Sequence, residues 1–207
     1  MPIRYPAPLR PGDRIGVTAP SSGVPQELLP RLEVCLQDLR GRGYEVVVGD
    51  CIGGAGVVSA PARERAAELQ AMLVDPSVRA VVPPWGGELA VELLPHLDLG
   101  AVGAADPTWL VGYSDLSTLL LLITTVTGVA TLHGQNLMDT PYRVPEPLLA
   151  WDEVAGTPAG GEVVQRASRA HRSGGHDDWE REPDVREMAL DEPGPGGCLT
   201  PAPARCT

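Results

Sequence analysis

The chain has 207 residues, a length that fits one large α/β domain or one ordinary domain with an appendage. Hydrophobic residues make up 43% and charged residues 21%, which excludes a wholly disordered chain, a collagen-like repeat and a disulfide scaffold. The net charge of -11 argues against nucleic acid and anionic membranes as partners, because both bind basic protein surfaces.

The cysteines and the N-terminus indicate a cytoplasmic protein. Cys35, Cys51, Cys198 and Cys206 are scattered and form no C-x-x-C pair, so neither a zinc site nor a disulfide framework is predicted. The first residues, MPIRYPAPLRPGDR, contain no apolar core of a secretory signal. The most apolar stretch, 116–132, is too short and too interrupted for a bilayer span.

Strand and helix patterns alternate over the first 140 residues. Short β-branched or apolar runs predict strands at 14–19, 44–48, 78–82, 109–111 and 129–132. Helical periodicity predicts helices from near residue 30 to just before Gly43, at 61–74, at 89–94 and at 116–125. This alternation predicts a three-layer α/β domain with a parallel sheet covered by helices on both faces.

The chain is predicted to divide at residue 140. Residues 1–140 form the α/β domain, residues 141–190 form a charged arm or linker with weak strand patterns at 162–165 and 188–190, and residues 191–207 form a disordered tail. In a parallel sheet the loops after the strands line the ligand crevice. Those loops contain Ser21, Ser22 and the segments 85–88 and 112–115.

The segment Gly112-Tyr113-Ser114-Asp115 lies between a predicted strand and a predicted helix. A serine on such a turn projects its hydroxyl above the sheet, near the amides that open the helix, which suits a nucleophile with an oxyanion site. The pattern G-x-S-x-G is incomplete because Leu116 replaces its last glycine, so helix capping by Ser114 or Asp115 is the main alternative.

A pair of glycines follows the third predicted strand, in the segment Trp85-Gly86-Gly87-Glu88. Glycines at a strand end let backbone amides approach a ligand and can supply a second oxyanion donor, although a plain turn explains them equally well. The segment 53–56 reads GGAG, which matches no nucleotide-binding fingerprint.

The residues alone identify no catalytic base. His133 ends a predicted strand, His96 lies on a short helix, and His171 and His176 lie in the charged arm. Each is as well explained by a structural or solvated role. The sequence HDD at 176–178 offers too few ligands at a recognised spacing, so no metal site is predicted.

Four segments in order resemble the L,D-carboxypeptidase family of serine peptidases. They are LRPGDRIGVTAPSSG from Leu9, WGGELAVELLPHLD from Trp85, WLVGYSDLSTLLL from Trp109 and TLHGQNLMDTP from Thr131. The resemblance covers about the first 140 residues. It implies a flavodoxin-like or class I glutamine amidotransferase-like domain, no metal, no cofactor, and often a homodimer.

The resemblance also implies roles for individual residues. Ser114 is the nucleophile, and the backbone amides of Asp115 and of Gly86 or Gly87 form the oxyanion hole. Three side chains near this turn, together with Gly86, are predicted to contact the substrate: Ser21, Trp85 and Glu88. The resemblance makes His133 part of a family segment but not the catalytic base.

The implied reaction is hydrolysis of the amide to a C-terminal residue, in a muropeptide of peptidoglycan recycling or a related peptide conjugate. In the family the Glu and His of the triad lie in a C-terminal domain, and these 207 residues contain no match to it. We therefore expect a truncated, impaired enzyme, and the alternative is an inactive remnant or binding domain. A nucleotide or flavin binder is a third hypothesis, favoured by the fold alone.

Overall fold

A computed structural model describes residues 2–54, 57–140 and 149–164 in full, and the backbone of 170–172 and 185–187. The strands are β1 (Arg14–Val17), β2 (Glu45–Val48), β3 (Val78–Val81), β4 (Trp109–Gly112), β5 (Leu132–His133), β6 (Ala170–Arg172) and β7 (Val185–Glu187). The α-helices are α1 (Leu29–Gly41), α2 (Ala62–Val74), α3 (Leu99–Ala104), α4 (Ser117–Thr127) and α5 (Trp151–Ala155). Short 3-10 turns cover Gln26–Leu28, Asp50–Ile52, Ala90–His96, Ser114–Leu116 and Leu137–Asp139.

Five strands form one parallel sheet in the order β2-β1-β3-β4-β5. This is the strand order of flavodoxin-like folds, in which the direction of winding reverses between β1 and β3. The predicted fold class is therefore confirmed. Because ligands bind at such a reversal, beyond the carboxyl ends of the strands, the sheet itself directs attention to the loops after β1, β3 and β4.

Helices cover both faces of the sheet and bury two apolar clusters. On one face α1 and α5 pack against Ile15, Val17 and Val111. On the other face α2, α3 and α4 pack against Val81 and Leu110. Successive residues of β4 point to opposite faces, and both faces are buried, which is why the strand reads as a continuous apolar run.

Three elements of the first 140 residues differ from the prediction, and the first is the helix predicted at 89–94, which is the 3-10 turn Ala90–His96. The helix α3 was not predicted, although Asp98 caps it by accepting a hydrogen bond from the backbone N–H of Ala101 at 2.9 Å. The last strand of the sheet is shorter than the predicted 129–132 segment. Val129 instead forms an isolated bridge with Arg4, and the N–H of Ala130 donates to the Arg4 carbonyl oxygen, so the N-terminal segment takes these backbone groups.

The packed unit extends past residue 140. Trp151 and Ala155 in α5 are almost fully buried in the first cluster, and the N–H of Leu9 donates to the Ala155 carbonyl oxygen at 2.9 Å. Arg42 also pairs with Asp152 at 2.8 Å. The boundary at 140 stays a prediction, but this part of the predicted arm contributes to the core.

The rest of the predicted arm is described only in part. The backbones of β6 and β7 pair antiparallel. The weak strand pattern at 162–165 lies partly outside the described residues, and the pattern at 188–190 and the predicted tail at 191–207 lie wholly outside them. None of the described helices is both long enough and apolar enough to cross a bilayer.

Candidate active site

Ser114 begins a sharp turn at the carboxyl end of β4. Its φ is +58°, and it is the only non-glycine residue with a positive φ in the described part of the chain. A side chain in this left-handed region costs energy, so such a residue indicates a conformation that the surrounding structure imposes. Gly112 permits the turn, because a methyl group there would lie 2.9 Å from the Leu116 Cβ.

The Ser114 side chain is exposed and makes no hydrogen bond to any residue that the structure describes. The capping alternative is not observed, because neither the 3-10 turn Ser114–Leu116 nor α4 has a side-chain cap. The Asp115 carboxylate instead accepts hydrogen bonds from the Ser21 hydroxyl and the Ala90 N–H. The turn therefore presents a free hydroxyl directly beyond the sheet, followed by backbone amides that open a helix.

The glycine pair packs directly against this turn. A methyl group at Gly86 would lie 2.8 Å from the Ser114 Cβ and 2.9 Å from the Tyr113 carbonyl oxygen, so no side chain fits there. A methyl group at Gly87 would overlap the hydroxyls of Ser21 and Ser22. The structure thus brings Ser114, Asp115 and both glycines together, and their roles stay predictions.

Ser21 lies inside the site rather than on its surface. It is completely buried, its hydroxyl donates to Asp115 Oδ2 at 2.8 Å, and its oxygen accepts from the Leu89 N–H at 3.1 Å. Ser21 exposes no surface in the described structure, and its contact with substrate stays a prediction. The side chain joins loops of the site.

The other predicted contacts differ in exposure. Trp85 is partly buried, packs against the first apolar cluster and donates its Nε1–H to the Ser22 carbonyl oxygen at 3.2 Å. Glu88 is exposed. Tyr113 is half exposed, and its ring centroid lies 5.4 Å from that of His133 on the neighbouring strand. An aromatic pair therefore lies beside Ser114, at the carboxyl ends of β4 and β5.

A buried arginine that the sequence analysis missed holds two of these loops. Arg65 on α2 is fully buried and donates to the carbonyl oxygens of Pro20 at 2.6 Å and Leu89 at 3.1 Å. It also donates to Ala60 and pairs with Glu92 at 2.6 Å. An arginine on an amphipathic helix looks like a solvated residue, so nothing in the local pattern signals this role.

No catalytic base is identified in the described structure. His133 is exposed and contacts Tyr113, and no hydrogen bond joins it to Ser114. His96 is exposed at the end of a 3-10 turn, His171 is described only by its backbone, and His176 lies outside the described residues. In the same described ranges, no group of three or more His, Cys, Asp or Glu side chains could hold a metal ion.

The two cysteines in the described structure are poor nucleophiles. Burial raises the pKa of the Cys35 thiol to about 12. Burial, together with the neighbouring Glu68 carboxylate, raises the pKa of the Cys51 thiol to about 11. Because the reactive species is the thiolate, neither residue competes with Ser114 as a nucleophile near neutral pH.

Comparisons with known proteins find similar sequences. A family model described as the LD-carboxypeptidase N-terminal domain matches residues 15–134. A Vibrio cholerae protein named "Putative carboxypeptidase" is 37% identical over 135 residues, which are 65% of this chain and 40% of that protein. The microcin C7 self-immunity protein MccF of Escherichia coli is 32% identical over 133 residues, covering 64% of this chain and 38% of that protein.

Solved structures show the same similarity. The wild-type MccF structure without ligand superposes with a TM-score of 0.75 at 25% sequence identity, over 88% of this chain and 57% of that chain. The chain thus spans about 40% of the length of the curated relatives it matches.

Proposed function

Because the chain belongs to the LD-carboxypeptidase family, we propose that it is the nucleophile-bearing domain of a serine-type L,D-carboxypeptidase. The observation that carries this proposal is the left-handed backbone of Ser114, at the carboxyl end of β4 with an unengaged hydroxyl. Such a strained strand-to-helix turn is how many α/β hydrolases present their nucleophile. The glycine pair beside it supports an oxyanion site.

The proposed reaction is acyl transfer. Ser114 Oγ attacks the carbonyl carbon of the scissile amide while a base takes its proton. The amide of Asp115 and that of Gly87 or Gly86 stabilise the oxyanion of the tetrahedral intermediate. The C–N bond then breaks, the leaving amine takes a proton, and water hydrolyses the acyl-enzyme. The described residues supply the nucleophile and the oxyanion donors, and the base has to come from elsewhere.

The proposed substrate is a peptide with a C-terminal D-amino acid, as in a muropeptide. A Bacillus subtilis relative named "Probable murein peptide carboxypeptidase" is 31% identical over 133 residues. MccF itself has been solved with glutamyl sulfamoyl guanosine and with aspartyl sulfamoyl adenosine, so an aminoacyl nucleotide is the second candidate substrate. Both candidates present a small molecule with an acyl group at Ser114.

The other properties predicted from the sequence remain proposals. We propose a cytoplasmic protein that acts on a small peptide, uses no cofactor, and forms a homodimer. Nucleic acid and membranes are not proposed as partners, because the charge of -11 disfavours both.

A hydrolysis assay tests the assignment of Ser114. The chain is completed with the base-bearing C-terminal domain of a family member and incubated with a tetrapeptide that ends in an L,D-linked D-alanine. Released D-alanine is measured with Ser114 unchanged, for Ser114→Ala and for Ser117→Ala. We expect Ser114→Ala alone to abolish release. Equal turnover by Ser114→Ala and the unchanged chain would remove Ser114 from this role.

A chemical label separates an impaired enzyme from an inactive remnant. A serine hydrolase that lacks its base retains about 10³ to 10⁴-fold rate enhancement over water, which comes from oxyanion and binding interactions rather than from the serine, so a direct probe of the serine is needed. A fluorophosphonate forms a covalent bond with an activated serine and is detected by mass spectrometry of the intact chain. Labelling at Ser114 supports the hydrolase, whereas a folded chain with neither labelling nor turnover supports the inactive remnant.

A further inference from the structure

One carboxylate joins three loops that come from three different strands. Asp115 Oδ2 accepts hydrogen bonds from the Ser21 hydroxyl at 2.8 Å and from the Ala90 N–H at 3.0 Å. The Ser21 oxygen in turn accepts from the Leu89 N–H at 3.1 Å. Ser21 follows β1, Leu89 and Ala90 follow the glycine pair after β3, and Asp115 follows β4.

These hydrogen bonds link the two halves of the proposed oxyanion site. One half is the amide of Asp115 itself, and the other is an amide of Gly86 or Gly87. The second half depends on where the glycine pair lies relative to Ser114, and that segment is anchored immediately downstream by Leu89 and Ala90.

We propose that the Asp115 carboxylate is a positioning group, which acts directly and through Ser21 to hold the glycine pair opposite Ser114. This inference rests on the proposed function, and it assigns Ser21 and the Asp115 side chain to one network rather than to substrate contacts. The network fixes the separation of the two oxyanion donors before substrate arrives. A misplacement of about 1 Å in such a site can cost about 10²-fold in rate.

The contacts of the two Asp115 carboxylate oxygens differ. None of the ion pairs in the described structure includes Asp115, and its second oxygen, Oδ1, is buried without a hydrogen-bond donor. Leaving a buried carboxylate oxygen unpaired is unfavourable. The other oxygen, Oδ2, accepts two hydrogen bonds, and these hold the side chain against Ser21 and Ala90.

Amide hydrogen exchange measured by NMR tests the network without any catalysis. In Asp115→Ala the Ala90 amide should exchange about 10 to 100-fold faster, because its N–H loses its only side-chain acceptor in the described structure. In Ser21→Ala the Leu89 amide should exchange about 2 to 10-fold faster, while Ala90 keeps its bond to Asp115. Asp115→Asn has the same shape and should retain most of the protection at both amides.

The control is Thr108→Val. Thr108 is buried at the opposite end of β4 and its hydroxyl donates to the Val78 carbonyl oxygen at 3.2 Å. Removing this hydroxyl also deletes a buried hydrogen bond, yet it should leave the Leu89 and Ala90 amides unchanged. If Asp115→Ala accelerates exchange throughout the sheet, the milder Ser21→Ala variant decides the question.

The reaction with a fluorophosphonate separates positioning from mere structure. We expect Asp115→Ala and Ser21→Ala to lower the maximal labelling rate of Ser114 by about 10 to 100-fold with little change in the half-saturating concentration. Asp115→Asn should restore most of the rate, and Thr108→Val should match the unchanged chain.

The outcomes are distinguishable. Unchanged exchange at Leu89 and Ala90 in both alanine variants would overturn the network. Faster exchange with an unchanged labelling rate would overturn the positioning role. If the chain completed with a base-bearing C-terminal domain is not labelled at all, the proposed function fails. The inference is then tested by exchange alone, and it is overturned if Asp115→Asn does not restore the protection that Asp115→Ala loses.

Discussion

Replacing Ser114 by glycine should make the protein more stable, although it removes the proposed nucleophile. The φ of +58° places Ser114 in the left-handed region, where an L-residue costs roughly 1–2 kcal/mol. Glycine avoids this cost but gives the unfolded chain more freedom, which offsets about 0.4–1 kcal/mol. The net gain in the free energy of unfolding should be about 0.5–1 kcal/mol, or about 1–4 °C in Tm.

Urea denaturation followed by circular dichroism measures this difference. Ser114→Ala keeps the Cβ and the strain, so its stability should match that of the unchanged chain within about 0.5 kcal/mol. Gly128→Ala is the opposite control, because it adds a side chain at a left-handed position instead of removing one. Gly128 ends α4 with φ +71°, and alanine there should lose about 1 kcal/mol.

The order of the variants in free energy of unfolding decides the test. If Ser114→Gly is less stable than Ser114→Ala, the turn is not strained and the argument for an imposed nucleophile conformation is refuted. If Ser114→Gly is the more stable variant, the chain carries a serine at a stability cost. That is the trade expected of a functional site.

Three further perturbations follow from the structure. Gly86→Ala should slow fluorophosphonate labelling of Ser114 by about 10²-fold, since a methyl there displaces the turn. The control is Gly41→Ala, where a methyl meets nothing within 4 Å, and Ser114 in this variant should be labelled at the unchanged rate. Equal labelling rates in the two variants would refute the close packing at Gly86. Arg65→Met should lower the free energy of unfolding by about 3 kcal/mol or more, because three carbonyl oxygens lose a donor. Glu92→Gln should lower it by less than about 1 kcal/mol. Similar losses for the two variants in urea denaturation would contradict the anchoring role of Arg65. Burial raises the pKa of the Cys35 thiol from 9.0 to about 12, so the thiol ionises first in the unfolded chain. Its contribution to stability is therefore complete below pH 9 and falls by up to about 1.36 kcal/mol per pH unit above pH 9. If Cys35→Ala leaves the slope of stability against pH unchanged between about pH 9 and 11, this contribution is excluded.

The sheet could be predicted because its strands are buried on both faces. A strand such as β4 reads as a short apolar run between turn residues, and that pattern depends on neighbouring residues only. The helix α3 has the sequence LGAVGA, whose glycines hide any helical period, so only the cap at Asp98 could have signalled it. The strand expected at 129–132 was misplaced because Val129 and Ala130 bond to Arg4, a partner that local sequence does not reveal.

The residues of the site also divide into those that local sequence reveals and those that it does not. Ser114 and the glycine pair were located from local turn chemistry and from their order in the family segments. The partners of Asp115 were not, because Ser21 is 94 residues away in the chain and meets Asp115 only after the sheet has formed. Arg65 was missed for a similar reason, since its four acceptors are backbone and side-chain oxygens of separate loops.

The hydrogen bond between Leu9 and Ala155 has a consequence for protein engineering. It places a residue near the start of the packed unit beside the end of α5, so the segment between these two positions almost closes into a ring. A short linker could join these two positions and new termini could be opened in an exposed connection, as in a circular permutant. Any domain fused after α5 would likewise leave the unit beside its own starting point.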